Sequence, residues 1–471
     1  MTTPTFRPRR LAAAVAALCA LGAGHAYGAA FALQENSGSG LGNAFAGGAA
    51  FTEDVSGMWS NPASLSKRMT MEAAGALHII TPSIKFRDEG SAPAFSQPLG
   101  GTGGDAGSTA LVPNMYVAVP INRQWVFGLG INAPFGLVTE WDGDWLGRFQ
   151  AVKSEVKTIN VNPAISWRPT DNLAIGVGVN WQRIDAEFTN RVNYSAALVS
   201  AATAPGSPIP SPVVPGIIAS TPGLQSSAKV EGDDDAWGWN VGILWDIGPN
   251  TRLGASYRSE IEYEVRGNAS FDHPVPTVPP ALAGAVGGLS NVINNGFLYN
   301  GGIKADITLP AIVNVSIFHR LNDRWDVMGD VQWTGWSSIP VLNFVRTDGP
   351  LSGQSLSNTP ENFDDAWRVS VGANYRHSDR WMFRGGVAFD QSPVNTTDRT
   401  PRLPDEDRWW FSFGAQYKYS NQLKFDGGFT YIQSSDASMN QNAGNQNASG
   451  LIKGNYEAYV TIFSVQATYT F

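Results

Sequence analysis

The residues that most often carry catalytic or metal chemistry are few and widely separated in this sequence. After the first thirty residues the histidines are His78, His273, His319 and His377, and none has a metal-ligand spacing to another. A serine and a histidine that are distant in sequence can still meet in a fold, but no motif points to such a hydrolytic pair. The sequence therefore predicts no enzyme, no metal site and no cofactor.

Two short motifs resemble ligand sites but lack the residues that such sites require. The acidic run 233–235 has three aspartates, but the spaced oxygen ligands of a calcium loop are absent. The run 38–42, GSGLG, has the glycines of a phosphate loop, but no strand precedes it and no lysine follows in the required position. We interpret the first as a solvated strand end and the second as small-residue packing.

The N-terminal residues indicate export from the cytoplasm. Arg7, Arg9 and Arg10 precede an apolar run, Leu11 to Gly24, and small residues follow it. This is the layout of a secretory signal peptide, and the apolar run is too short for a membrane-spanning helix. We predict a signal peptide over residues 1–28.

Removal of this peptide leaves a mature chain with a distinctive composition. The only cysteine, Cys19, leaves with the signal peptide, and loss of its three arginines changes the net charge from −8 to −11. That charge argues against a nucleic-acid partner. Charged residues make up 15% of the chain and apolar residues 43%, whereas about a quarter of a soluble protein is charged.

The elements that would position any site are strands with one apolar face and one polar face. In the segment 172–182, NLAIGVGVNWQ, apolar side chains alternate with Ala, Gly, Asn and Gln. The polar face consists of small and amide residues in strand after strand, and tryptophans cluster near strand ends. These features favour an outer-membrane β-barrel over a soluble β-sandwich.

We predict an all-β fold, a transmembrane antiparallel barrel of fourteen strands. Short turns alternate with long connections, which is the pattern of an up-and-down barrel with long extracellular loops. The last strand ends on an aromatic residue, Phe471, which we expect the outer-membrane assembly machinery to recognise. The predicted strands cover 69–79, 112–120, 124–134, 156–168, 172–190, 228–247, 251–268, 302–320, 324–346, 363–377, 380–391, 406–419, 422–434 and 455–471.

Two long connections are unusual because they contain no charged residue. They are the segments 192–228 and 274–303. A large exposed apolar surface commonly marks a binding site for an apolar molecule. The alternative is that the two segments pack on each other as a lid, and a lid of this kind would also form an apolar groove.

A proline interrupts the third predicted strand. Pro134 lacks the N–H group that a strand ladder needs, and a closed barrel has no edge strand to tolerate it. Either the strand ends at Ala133, or the proline breaks the pairing and opens a gap in the wall.

The mature sequence resembles the FadL/TodX family of outer-membrane transporters for long-chain fatty acids and aromatic hydrocarbons. Several blocks in the same order carry the resemblance, which extends over the whole mature chain. They are FALQENSGSGLGNAFAGGAAFTEDVSGMWSNPASLS, KTINVNPAISWR, DDDAWGWNVGILWDI, LGASYRSEIEYEVRG, WRVSVGANYRHSDRWMFRGGVAFDQSPV and LPDEDRWWFSFGAQY.

The resemblance implies a monomeric barrel, residues 69–471, whose lumen is plugged by a small hatch, residues 29–68. It implies an apolar groove between two extracellular loops, a pocket in the lumen and lateral release through a kink in the third strand. The residues that it assigns to the hatch and gate are Phe31, Leu33, Asn61, Pro62 and Ala63, and those that it assigns to the kink are Asn132, Ala133, Pro134 and Phe135. Asn-Pro-Ala at 61–63 would contact the opening, unless it is simply a turn before the first strand.

One departure from the family leaves the ligand class open. Members that carry fatty acids hold the carboxylate with basic side chains, and those positions align with Asn190 and Asn343. Arg191 and Arg346 lie nearby as candidates, although neighbours on a strand point to opposite faces. We therefore expect a passive transporter of hydrophobic molecules, with fatty acids ahead of aromatic hydrocarbons.

Two other functions are alternatives to transport of hydrophobic molecules. A general diffusion porin would need an open, charged lumen and has no use for apolar loops. An adhesin or phage receptor would have polar loops, and that role is compatible with transport. The expected surroundings are the lipid and lipopolysaccharide of a Gram-negative outer membrane.

Overall fold

The computed structural model of the chain describes residues 30–441 and 446–471, and the predicted signal peptide lies outside them. The described residues form twenty strand segments in one sheet. They are β1 Glu72–Asp88, β2 Ala110–Pro120, β3 Trp125–Asn132, β4 Gly136–Glu140, β5 Lys153–Thr170, β6 Leu173–Asn193, β7 Gln225–Asp246, β8 Thr251–Arg258, β9 Ile261–Phe271, β10 Gly301–Leu309, β11 Ile312–Arg320, β12 Trp325–Thr334, β13 Val341–Arg346, β14 Ser355–Pro360, β15 Ala366–Arg376, β16 Trp381–Asp390, β17 Arg408–Lys418, β18 Leu423–Ser434, β19 Ala437–Gln441 and β20 Ile452–Thr470.

The sheet closes on itself as an antiparallel barrel. Each pass pairs with the next along the chain, and β20 returns to pair with β1 from Glu72↔Thr470 to Asp88↔Gly454. Six passes are interrupted once, so that the twenty segments make fourteen passes. The predicted fourteen-stranded barrel is confirmed.

The burial pattern along each pass is the inverse of that in a soluble protein. On β15, Trp367, Val369 and Val371 are 52%, 47% and 61% exposed, while the alternating Arg368 and Ser370 are 2% and 1% exposed. An apolar outer face and a polar lumen are what a barrel in lipid requires. Among the described residues, no helix is both long enough and apolar enough to span a membrane.

Asparagine side chains build two of the short turns in the same way. The Asn122 carboxamide oxygen accepts hydrogen bonds from the backbone N–H groups of Gln124 and Trp125, at 2.8 and 3.0 Å. Asn322 repeats the arrangement before Trp325. Such Asx turns satisfy backbone donors where the chain reverses direction.

The wall is taller than the predicted strands suggested. β1 continues to Asp88, nine residues beyond the predicted end at position 79. β6 and β7 contain 21 and 22 residues, about twice the 9–11 that cross a bilayer. The two uncharged connections fold into helices, which the sequence reading did not predict: α2 Tyr194–Thr203, α3 Val214–Ser220 and α4 Pro280–Asn295.

The described N-terminal residues, 30–68, form a compact segment that contacts the inner face of the barrel on several sides. We call residues 30–68 the N-terminal segment. It contains the one-turn helix α1 Gly38–Leu41 and three short 3₁₀ turns, Gly48–Ala50, Val55–Met58 and Pro62–Lys67. Its hydrogen bonds reach widely separated strands: Gly38 N to Gln466 Oε1, Ala49 N to Ser316 Oγ, Asn61 Nδ2 to Ile243 O, and Arg368 Nη2 to Ala44 O.

Inward-facing glycines allow this segment to lie close to the wall. A Cβ atom on Gly254 would lie 2.0 Å from the carbonyl oxygen of Ala49, and one on Gly176 would lie 2.3 Å from the backbone nitrogen of Ala63. Real Cβ contacts are never this short. The small residues on the inner faces of these strands are therefore a packing requirement of the N-terminal segment.

Candidate functional site

The uncharged loops pack on one another above the barrel. Helix α2 contacts α4 and α3, and α3 also contacts α4. Leu198 of α2, Ile217 of α3 and Ile293 of α4 are fully buried between them, and Tyr194 Oη donates a hydrogen bond of 2.8 Å to Asn294 Oδ1. The loops thus form an apolar layer over one end of the barrel.

Some large apolar side chains in this layer remain exposed. Val292 of α4 is 59% exposed, and Phe297, just after α4, is 64% exposed. The two segments that contain these side chains have polar residues but no charged ones. The layer therefore combines a buried apolar contact with apolar surface open to the outside.

Below the loops, the upper lumen is lined by aromatic side chains with a guanidinium group beside them. The rings of Phe188 on β6 and Phe344 on β13 lie 5.7 Å apart, both facing inward. Arg402 lies with its Cζ 5.3 Å from the Phe188 ring, and it donates to Ser154 Oγ at 3.2 Å. Burial lowers the pKa of Arg402 to about 10. Burial also raises the pKa of Glu361, which lies between β14 and β15, to about 8.

The two predicted carboxylate-binding arginines face different surroundings. Arg346, 2% exposed, lies on the inner face of β13, where it donates to the carbonyls of Tyr299 and of Phe297, the latter at 3.0 Å. Its Nε has no hydrogen-bond partner in the structure. Arg191 instead lies on the outer face of β6, where it donates to Gly143 O at 3.4 Å and to Ser227 Oγ. The two arginines do not lie on one face of the wall.

The third pass is broken at residues 133–135, between β3 and β4. The last pair that β2 forms with this pass is Met115↔Ile131, and among the strands of the described residues β4 pairs with β5 alone. Within the described residues, residues 110–114 of β2 pair with β1 alone. The wall therefore has a gap in its backbone pairing between the upper part of β2 and the segment from Ala133 to β4.

Proline flanks this gap on both sides. Pro134 lies in the break, and Pro113 lies on the part of β2 that pairs with β1 but not with the third pass. On the β5 side, Thr158 replaces the missing ladder because its Oγ1 accepts from Phe135 N at 2.9 Å and donates to Phe135 O at 2.7 Å. The sequence reading identified Pro134 but missed Pro113, although a proline inside a strand pattern is a signal for an edge.

The start of the N-terminal segment occupies the gap. Leu33 N donates to Pro134 O and Gly136 N donates to Phe31 O, both at 2.8 Å, which pairs Ala32 with Phe135 as in an antiparallel ladder. From β2, Asn114 Nδ2 donates to Glu35 O at 2.7 Å and Tyr116 Oη donates to Asn36 O at 2.8 Å.

An aromatic cluster closes the inner side of the gap. The ring of Phe31 lies 4.8 Å from Trp336 and 6.0 Å from Phe135, and Trp336 lies 6.2 Å from Phe363. Trp336, which is fully buried, lies in a 3₁₀ turn between β12 and β13. The sequence reading missed it because it treated 324–346 as one strand, although Gly335 and Pro340 mark the interruption.

Two buried carboxyl groups lie at this part of the segment, and one of them, that of Asp405, anchors it. Ala30 N donates to Asp405 Oδ2 at 2.9 Å, and that carboxylate also accepts from Ser392 Oγ at 2.7 Å. Glu35 is 1% exposed and neither of its carboxyl oxygens has a hydrogen-bond partner in the structure. Burial, opposed by Arg408 and Arg368, raises the pKa of Glu35 to about 7.

Asn61, Pro62 and Ala63 lie away from the residues that occupy the gap. Asn61 Nδ2 donates to Ala49 O and to Ile243 O of β7, and its Oδ1 accepts from Ala63 N. Pro62 and Pro134 both line one lumen cavity of about 50 Å³. Ligand sites are usually about 300–1,000 Å³, so this space is smaller than an acyl chain needs.

Comparisons with known proteins agree with this architecture. A family model described as outer membrane protein transport protein (OMPP1/FadL/TodX) matches residues 19–471. The long-chain fatty acid transport protein of Escherichia coli (strain K12) is 30% identical over 405 residues, which cover 83% of this chain and 85% of that protein. Outer membrane protein P1 of Haemophilus influenzae (strain ATCC 51907 / DSM 11121 / KW20 / Rd) is 29% identical and covers 82% of each chain.

Solved structures give the same result. A FadL homologue from Pseudomonas aeruginosa is 26% identical and superposes with a TM-score of 0.82 over 94% of this chain and 100% of that one. The toluene transporter TodX of P. putida, at 17% identity and a TM-score of 0.66 over 95% and 99% of the two chains, shares the fold. The similar proteins that have a functional name are transporters or channels and not enzymes. The chain therefore belongs to the outer membrane protein transport family OMPP1/FadL/TodX, and it is an outer-membrane β-barrel of a Gram-negative bacterium.

Proposed function

We propose that this protein takes up long-chain fatty acids by passive diffusion and releases them sideways into the outer membrane through the gap between β2 and β4. The observation that carries the proposal is the continuous buried apolar core, which runs from the loop helices to the aromatic cluster at the gap. The name of the similar E. coli protein, a long-chain fatty acid transport protein, supports this ligand class.

The route begins at the loop layer, where Val292 and Phe297 give an apolar ligand its first contact. It continues past Phe188 and Phe344 in the upper lumen to Phe31 and the gap. Lateral release follows from the hydrophobic effect, because delivery into periplasmic water would cost roughly 0.8 kcal/mol per methylene. A chain of about sixteen methylenes would then meet a barrier above about 10 kcal/mol.

We assign to residues 29–68 the role of a hatch and to residues 69–471 that of the barrel. Phe31 and Leu33 act as the gate because their backbones pair with the broken strand. Asn61, Pro62 and Ala63 anchor the hatch to β7 and to Ala49, so that the gate can move while the rest stays in place.

Arg346 is the better of the two predicted carboxylate ligands. It faces the lumen, its present partners are neutral carbonyls and its Nε is unpartnered, whereas Arg191 faces outward. We further propose that the protein works as a monomer among lipid and lipopolysaccharide, and that Phe471 serves as an assembly signal.

Uptake of labelled oleate and labelled toluene by cells with and without the gene tests the function. We expect oleate uptake to require the gene. Gene-dependent uptake of toluene alone would assign the aromatic class, and gene-independent uptake of both ligands would overturn the proposal. Planar-bilayer recording separates a diffusion porin, which would give a large, steady open channel.

A further inference from the structure

The lipid-facing surface of the barrel contains a depression that is lined by small side chains. It spans β11, β12, β15 and β16 and measures about 630 Å³. Gly329, Ala373 and Gly385 line it from three adjacent strands. Gly385 is paired with Phe413 of β17, which is 58% exposed, so a large ring borders the depression on that side. The outer wall is therefore locally concave.

Membrane lipid must fill this depression. Val371, Ile317 and Val387 line it and are 61%, 45% and 37% exposed, as side chains in contact with hydrocarbon should be. An unfilled void would forfeit dispersion contacts with the atoms around it. Acyl chains resemble one another, so apolar contact alone does not select one lipid. Selectivity has to come from polar groups at the end of the depression.

Two turns with the same sequence lie at that end, on the side of the barrel with the short turns. Leu321 N donates to Trp325 O at 2.9 Å and His377 N donates to Trp381 O at 3.0 Å, so the same backbone hydrogen bond closes both turns. Each turn reads Asp-Arg-Trp, at positions 323–325 between β11 and β12 and at positions 379–381 between β15 and β16. We call them the twin turns.

The twin turns are close enough to the depression to reach the head group of a lipid whose chain lies in it. Arg324 precedes Val327 by three residues and Arg380 precedes Gly385 by five, which places both arginines about 10–17 Å along their strands from the depression. Backbone pairing joins the two hairpins at this level, because Arg376 N donates to Arg324 O at 2.8 Å. Short turns of this kind are periplasmic in outer-membrane barrels.

The charges of the twin turns are not compensated within the protein. Their two aspartates and two arginines are exposed, and no ion pair among the described residues involves them. The neighbouring Arg320 and Arg376 differ, because both pair with the buried Asp326. His377 and Lys418 also lie beside the turns. The turns thus offer guanidinium groups for a phosphate and carboxylates for an ammonium group.

We propose that the depression and the twin turns bind one phospholipid of the periplasmic leaflet, with an ethanolamine head group. One acyl chain lies over Gly329, Ala373 and Gly385. Arg324 and Arg380 donate hydrogen bonds to its phosphate, and the carboxylates of the twin turns accept hydrogen bonds from its primary ammonium. The site lies on the outside of the wall, so it is independent of the transported cargo.

Native mass spectrometry of the purified full chain tests this by counting the lipids that it retains. The protein is equilibrated in micelles with equal amounts of phosphatidylethanolamine, phosphatidylcholine and phosphatidylglycerol that have the same acyl chains. We expect the wild type to retain one phosphatidylethanolamine, about fivefold or more above either competitor, as for one additional hydrogen bond to a charged group. Heat-modifiable migration verifies that each variant below has folded.

The first pair of variants tests the depression. The double variant Gly329→Leu, Ala373→Leu fills it, and retention of phosphatidylethanolamine should fall by about fivefold or more. The matched control is Gly75→Leu on the outer face of β1, where no heavy atom lies within 4 Å of the added Cβ. This control should retain the lipid as the wild type does.

The second pair tests the head-group contacts. Arg324→Gln, Arg380→Gln should lower retention of phosphatidylethanolamine by about fivefold or more, whereas Asp323→Asn, Asp379→Asn should abolish only its advantage over phosphatidylglycerol. Equal retention of the three lipids by the wild type would overturn the inference, and so would a wild-type preference for phosphatidylglycerol. Unchanged retention in the filled variant would overturn it as well. A dimer that disappears on filling would make a second copy the occupant and would refute the lipid site.

Discussion

A disulfide between positions 32 and 135 should lock the gate shut. Ala32 and Phe135 are directly opposite, and the flanking hydrogen bonds make them a non-hydrogen-bonded pair. Cα atoms in such pairs are about 4.5 Å apart, within the range of about 4.4–6.8 Å that disulfides span. The only natural cysteine, Cys19, lies in the predicted signal peptide. The double variant Ala32→Cys, Phe135→Cys would therefore contain one defined pair of thiols.

The expected size of the effect follows from the contacts that close the gap. Four hydrogen bonds hold residues 31–36 there: Leu33 N to Pro134 O, Gly136 N to Phe31 O, Asn114 Nδ2 to Glu35 O, and Tyr116 Oη to Asn36 O. At about 1 kcal/mol each, they give about 4 kcal/mol in favour of the closed state. The gate would then be open about one time in a thousand. The disulfide abolishes that open population, so oleate uptake should fall to the background rate.

The assay is initial uptake of labelled oleate before and after treatment of the cells with a reductant. The two single-cysteine variants control for the lost side chains, since Phe135 also packs against Phe31 and Trp336. Restored uptake on reduction would link the loss to the lock. If the oxidised protein, with the disulfide verified by thiol labelling, transported oleate as fast as its reduced form, the segment need not move and our reasoning would be wrong.

Three further predictions concern the same segment. Tyr116→Phe removes one of the four hydrogen bonds, so initial oleate uptake should rise by about fivefold; an unchanged rate would argue against gating at this contact. Gly254→Val should displace the N-terminal segment, because a Cβ atom there would lie 2.0 Å from Ala49 O. The control is the lipid-facing variant Gly385→Val, in which no heavy atom lies within 4 Å of the added Cβ. Protease cleavage within residues 30–68 should increase in Gly254→Val only. Burial raises the pKa of Glu35 from 4.5 to about 7, because the ionised carboxylate is less stable in the buried site than in water. The free energy that holds the N-terminal segment in the lumen should therefore fall by about 3 kcal/mol as the pH rises from about 4.5 through about 7. Above that pH it should stay constant. Protection of residues 31–36 from hydrogen exchange should be lower at about pH 8 than at about pH 5 in the wild-type protein, and Glu35→Gln should remove this difference. Equal pH dependence in both proteins would assign the change to another titratable group.

The sequence predicts the passes of the barrel well because the bilayer imposes one pattern on all of them. An outer face such as Trp367, Val369 and Val371 must be apolar whatever lies inside, so alternation alone identifies β15. Strand ends were less predictable, since β1 extends above the membrane to Asp88, where lipid no longer constrains the outer face. Helices α2 and α4 were missed because the connections that contain them are rich in Gly and Pro, which are typical of loops. Contact with each other stabilises the two helices.

The site was predictable only where a single residue type carries the signal. Pro134 reveals the break in the third pass because proline cannot donate to a ladder. The orientation of Arg191 follows from its position next to the inward-facing Asn190, as strand parity requires. Trp336 carries no such signal, because an aromatic residue in a strand is compatible with many roles. Its role depends on which distant segments the barrel brings beside it.

The gap leaves backbone groups of the wall without strand partners, and the N-terminal segment supplies partners for some of them. In hydrocarbon, a backbone N–H or C=O group without a partner costs several kcal/mol, which is why membrane barrels are closed. Here residues 110–114 of β2 lack pairing toward the third pass, and Pro134 has no backbone N–H to donate. Leu33 N and Phe31 O satisfy Pro134 O and Gly136 N of the third pass, and the Asn114 and Tyr116 side chains donate to carbonyls of the segment itself. If the segment withdrew with nothing in its place, those groups would face lipid unpaired. Opening is therefore unfavourable in an empty transporter, and an acyl chain in the gap does not supply the missing partners, because a hydrocarbon neither donates nor accepts these hydrogen bonds. A ligand favours opening only by taking over the apolar contacts that the closed segment makes, such as those of Phe31 with Trp336 and Phe135.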